Sequence, residues 1–154
     1  MTDVALPLNK QTLAALERQP SRGPVVGELW GVGRHGDVEA LALVTLDLGG
    51  MFFLAVPVIP VSGWATPSEL ILPDDVLGVE GTVVFNAESG IPSQLFLRNL
   101  APVITVAEAE QLRAAMQHDL DLPTPLERGA QEHSAESVLW LDSILEGFRA
   151  ITLT

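Results

Sequence analysis

"VEALALVTLDLGGMFFLAVPVIP", Val38 to Pro60, decides the fold. From Val38 to Leu48 the run is apolar at odd and even positions alike for much of its length. Both faces of such a strand must be covered, as in a barrel or a covered sheet. Gly49-Gly50 is a strong hairpin signal, since glycine takes positive φ without steric cost. "MFFLAVPVI" then returns antiparallel. This is also the most hydrophobic part of the chain, but Asp47, Gly49-Gly50, Pro57 and Pro60 interrupt it. A spanning helix needs about 20 apolar residues without such breaks. The stretch therefore reads as a β-hairpin, and no membrane partner is expected.

Working outward, "VVGELWGVG" (Val25–Gly33) reads as a strand and "RHGD" (Arg34–Asp37) as the turn that follows it. Downstream, "SELILP" (Ser68–Pro73) and "GTVVFN" (Gly81–Asn86) are short strands. "LFLRNLAPVI" (Leu95–Ile104) holds a strand or a 3₁₀ turn and then a final strand. Short antiparallel strands at this spacing predict a small barrel. Helices flank it. Asn9 is placed to cap a first helix, with Leu8 and Leu13 at staple spacing and Leu13 and Leu16 on one face. "TVAE" (Thr105–Glu108) is a capping box, and Leu112 and Met116 continue an apolar face. "HDLDLPTPLERGAQEH" (His118–His133) reads as a linker. A last helix runs from Ser134, striped by Leu141, Ile144, Leu145, Phe148 and Ile151. Gly147 inside it costs about 1 kcal/mol against alanine. The predicted class is mainly β with helices (α+β), an antiparallel small barrel between an N-terminal helix and C-terminal helices. Residues 1–24 form helix and linker, 25–118 the barrel and its following helix, and 119–154 the linker and last helix.

The chain has 154 residues, 47% apolar and 18% charged, which suits one domain with one core. The lack of cysteine excludes disulfides, thiol catalysis and thiolate metal sites, and fits a reducing compartment. The N-terminus carries no basic segment followed by an apolar core, so a cytoplasmic protein without a secretory signal is expected. The net charge is −12 and the eight basic residues are scattered, which disfavours RNA as a partner. His35, His118 and His133 lie in no metal-binding spacing, and no metal or cofactor is expected. There is no G-x-S-x-G elbow and no phosphate loop. Asp74-Asp75 follows a proline and reads as turn chemistry. Of the three tryptophans, Trp64 stands out: it lies in a loop between Gly63 and Pro67, where a large ring needs a cover.

"GELW" (Gly27–Trp30), "ALALVTL", "VPVI", "LGVEGTVVF" and "IPSQLFLRNLAPVITVAEAEQLRAAM" follow one another from Val25 to Met116. In that order they resemble the MazF/PemK-like toxin family. The resemblance implies a small SH3-like barrel with a helix after it. It also makes Pro57 the residue that closes the third strand, with Pro60 beyond the ladder. Active members of that family are ribonucleases with an arginine at the start of the second strand and a threonine after the strand-three proline. Here those positions fall near Val38 or Glu39 and on Ile59. "FNAESG" lacks the family's glutamine-arginine segment, and Ala101 stands in place of its glycine before the helix. Between Val25 and Ile104 two basic residues face nine acidic ones, a poor cradle for RNA.

The expectation is therefore a divergent, non-catalytic barrel, related to toxin–antitoxin systems, acting as a protein-binding or regulatory module. Its partners would be a second copy, as a homodimer through the barrel edge or terminal helices, and an antitoxin-like or regulatory chain. Trp30, Ile59 and Trp64 are the candidate binding surface. The alternative is a metal-independent endoribonuclease that cleaves single-stranded RNA with Arg34, His35 and Arg98 as relocated catalytic residues. Arg34 and His35 share the first hairpin loop, where an Arg–His pair has the chemistry for general acid–base work.

Overall fold

The hairpin at the centre of the sequence is buried on both sides, and the rest of the chain is arranged to cover it. The computed structural model describes residues 9–60, 69–118, 126–129 and 135–152. β1 (Glu28–Val32), β2 (Ala40–Asp47) and β3 (Phe52–Ile59) form an antiparallel meander. β4 (Leu70–Leu72), β5 (Gly81–Val83), β6 (Ser89–Pro92), β7 (Phe96–Pro102) and β8 (Glu127–Arg128) complete one antiparallel sheet in the order β7-β1-β2-β3-β5-β4-β8. β6 lies off this path and pairs with Phe52–Ala55 of β3, ahead of the place where β5 takes over. The helices are α1 (Lys10–Ala15), the single turn α2 (Asp74–Leu77), α3 (Val106–His118) and α4 (Ala135–Thr152).

Strand parity builds two cores. Leu29, Leu41, Leu43, Val56 and Val58 point to one face, where Ala109 and Leu112 of α3 pack on them. Trp30, Ala42, Val44, Phe53 and Ala55 point to the other, covered by Ile91, Phe96, and Phe148 and Ile151 of α4. Phe96 meets Trp30 and Phe53 edge-on, at centroid distances of 6.1 and 5.6 Å.

This corrects the expectation of a closed barrel. The sheet is open: β7 ends the path on one side and β8 on the other, and no ladder joins them among the described residues. Helices on both faces do the covering that closure would otherwise provide.

Pro57 is a second correction, because it does not close its strand. β3 runs on to Ile59. Pro57 sits opposite Ala42 of β2, and its carbonyl accepts from Val84 N–H at 2.9 Å on the other edge. N–H and C=O of one strand residue point the same way, so the missing donor falls on that second edge, in the gap between β6 and β5. Pro57 thus lies just past the last registered β3–β5 pair, Val58 with Val83, where a strand tolerates a proline. Pro60 lies beyond the strand, as expected.

Elsewhere local chemistry behaves as read. Asn9 Oδ1 accepts from Thr12 N–H at 2.8 Å. Thr105 and Glu108 exchange both bonds of the capping box, at 2.8 and 3.1 Å. The expected staple fails at Leu13, which is exposed while Thr12 and Ala15 face inward; Leu8 is outside the described residues. α2, β6 and β8 were not anticipated. They are two to four residues long and contain no period to read. No helix among the described residues is long and apolar enough to cross a membrane.

Candidate functional site

The "GELW" stretch is a structural lock. Gly27 has φ of 93°, and a Cβ there would lie 2.0 Å from the Ile104 carbonyl oxygen, so only glycine fits. Glu28 is buried and accepts from Arg22, from Val25 N–H at 3.0 Å and from Trp30 Nε1–H at 3.1 Å. Burial alone would push its carboxyl up, but the bonds from Arg22, Trp30 and Val25 together outweigh that and hold it below the usual range. Trp30 itself is fully buried and presents no ring to solvent, so its place among surface candidates is corrected. Trp64 lies outside the described residues.

Arg34 and Glu39 flank the β1–β2 turn and hold each other. Arg34 Nη2 lies 2.6 Å from Glu39 Oε1, Nε lies 3.2 Å from both carboxylate oxygens, and the Arg34 backbone N–H donates to Oε2 at 2.6 Å. The hydrogen bond from Arg34 lowers the Glu39 pKa, and the same bond raises that of Arg34. Arg34 Nη1 reaches the Ala150 carbonyl of α4 at a long 3.5 Å. His35 is exposed on the turn, and no hydrogen bond joins it to Arg34.

Arg98 is spent elsewhere. Its Nε donates to the Leu16 carbonyl at 3.0 Å and its Nη1 to the Leu97 carbonyl at 2.7 Å, tying β7 to the end of α1. The three candidate catalytic residues therefore make no shared constellation. Glu39, which stands near the position of the family's arginine, is Arg34's own partner, a pairing that sequence reading missed. Their spacing across a tight turn was the available signal.

The structure does bring Arg34 and Ile59 to one place. A groove of about 500 Å³ runs between the last turns of α4 and the ends of β2 and β3. Val38, Pro57, Ile59 and Pro60 line the sheet side, Gly147 and Ala150 the helix side, and the Arg34–Glu39 pair stands at its rim. Ile59 is half-buried, and Gly147 on the opposite wall is exposed. His35 does not line it. The surface around Ile59 is thus an apolar cleft with one internally neutralised ion pair. It offers hydrophobic contact and shape, with no free base and no cluster of cations among the described residues. Among the described residues no group of three or more histidines and carboxylates is placed to hold a metal. No protein-family model matches this chain, and no curated protein matches it.

Proposed function

We propose that this chain is a divergent, non-catalytic relative of the MazF/PemK-like family, with an open sheet, acting as a protein-binding or regulatory module whose recognition surface is the groove around Ile59. One observation carries the reading. The two arginines with catalytic potential are each committed to the chain's own carboxylate or carbonyls, in different places, while the position of the family's threonine opens onto an apolar cleft. Cleavage of RNA without metal needs a base and a donor converging on one phosphate. A helix, α3, following the last strand of this region, β7, is in keeping with the helix after the strands that the resemblance implies. The partner is an antitoxin-like or regulatory chain, and self-association as a homodimer belongs to the same reading.

The test is incubation of a long unstructured RNA with the purified chain, with and without added metal, beside the Arg34→Ala/His35→Ala double variant. Intact RNA in every lane is the expected result. Cutting that disappears in the double variant would make this an endoribonuclease and overturn the proposal.

A further inference from the structure

The groove also indicates what kind of partner segment it takes. Strand addition needs a free sheet edge. Here β2 is paired on both sides by β1 and β3, and β3 by β2 and then β6 and β5, while Pro57 and Pro60 have no N–H to offer. Proline-rich segments dock on aromatic-lined grooves, but among the described residues the one aromatic lining this groove, Phe148, is 3% exposed. Acidic and phosphorylated motifs need an arginine cluster; the groove has one arginine, already bridged by Glu39. An apolar helix laid into the groove is the mode that remains.

Gly147 supports this independently. It lies inside α4, where glycine costs about 1 kcal/mol, and it is not among the positive-φ glycines. A Cβ built on it meets nothing within 4 Å. Neither backbone conformation nor internal packing calls for glycine there, but the missing side chain leaves the α4 backbone open to close approach from the groove. Ser143, Gly147 and Ala150, at i, i+4 and i+7, all line it. On the same helix Asp142 and Glu146 are exposed beside this wall, on a chain of net charge −12. A second copy's α4 would bring Asp142 and Glu146 against the same acids, so charge disfavours that occupant.

We infer that the groove between α4 and the ends of β2 and β3 receives the apolar face of a basic amphipathic helix from a partner protein, crossing α4 at Gly147. This rests on the reading of the groove as a recognition surface and names the class of segment it recognises.

The experiment uses the full chain and a fluorescein-labelled synthetic peptide of about 18 residues, long enough to form a helix. The peptide has leucines at i, i+3, i+4 and i+7 and lysines on the opposite face. Anisotropy titrations compare it with a scrambled peptide of equal composition and with a version carrying glutamate for lysine. Saturable binding is expected for the basic amphipathic peptide, weakened at least about tenfold for either control. Gly147→Leu should weaken it at least about tenfold as well, while circular dichroism and the melting midpoint show a chain folded at least as stably as the parent. Ile59→Lys, on the opposite wall, should do the same.

Equal binding of the scrambled peptide, or full affinity in Gly147→Leu, overturns the inference. So does binding in the groove of a neutral apolar dye, lost in Gly147→Leu, when the peptide does not bind; that result would make it a small-molecule site. Peptide binding together with RNA cleavage would remove the non-catalytic reading and leave this inference standing. No peptide binding and no cleavage would do the reverse.

Discussion

Glu28 accepts bonds from two side chains and one backbone N–H, and so joins the segment before β1 to the tryptophan at the centre of one core. Its folded pKa lies below its ordinary value. The stability it contributes is therefore complete above the usual glutamate range and is lost as the pH falls through the folded value. Glu28→Gln should cost about 1–3 kcal/mol at pH 7, measured by urea denaturation. The gap between variant and parent should narrow as the pH drops below about 4. A gap that stays constant into acid would mean that the charged form is not what the site holds. Glu39 is shifted in the same direction by Arg34, but it is exposed to solvent, which screens the pair. Glu28 and Trp30 stand two apart in a strand and so share a side, a relation legible in "GELW" from parity alone. Arg22 was not legible, because it reaches Glu28 across an irregular segment.

α3 and α4 differ in how much of each could be read locally. The capping box of α3 is a contact between residues three apart, and it forms as the sequence implies. Thr105→Ala should lower stability by about 1 kcal/mol, seen as a shift in the urea midpoint with no change of slope. For α4 the same local reasoning finds Gly147 costly but finds no reason for it. Gly147→Ala should raise stability by about 1 kcal/mol in the isolated chain, since the added methyl meets open space. A loss of stability there would mean the groove wall is packed more tightly than its geometry implies. In β3 the family resemblance put Pro57 at the strand end. Local reasoning could not place the change of neighbour from β6 to β5 beside Pro57, because β6 is four residues of Ser-Gly-Ile-Pro with no periodic signal.

At the scale of the whole molecule, the sheet is stable open because α3 and α4 each cover one face. Phe148 is the test of the second face. It is 3% exposed and packs into the cluster that holds Trp30, Phe53 and Phe96. Phe148→Ala should cost about 3–5 kcal/mol, read in the midpoint of a single cooperative unfolding transition. A negligible cost, or a separate early transition, would mean that α4 is not part of the same core.

By itself the sequence determined what depends on near neighbours. Apolar residues at every position from Ala40 to Val44 require cover on both sides, Gly49-Gly50 turns the chain, and Asn9 and Thr105 with Glu108 start helices. Those signals are fixed by covalent spacing and need no knowledge of the rest of the molecule. Whether the cover would be a closed barrel or helices on two faces was left to the tertiary structure, since both solutions bury the same residues. So was the fate of each candidate residue. Arg34 meets Glu39 and α4, Arg98 meets the end of α1, and Ile59 faces, across a groove, a glycine more than eighty residues away along the chain. Partners that far apart are chosen by packing, and packing is a property of the whole chain.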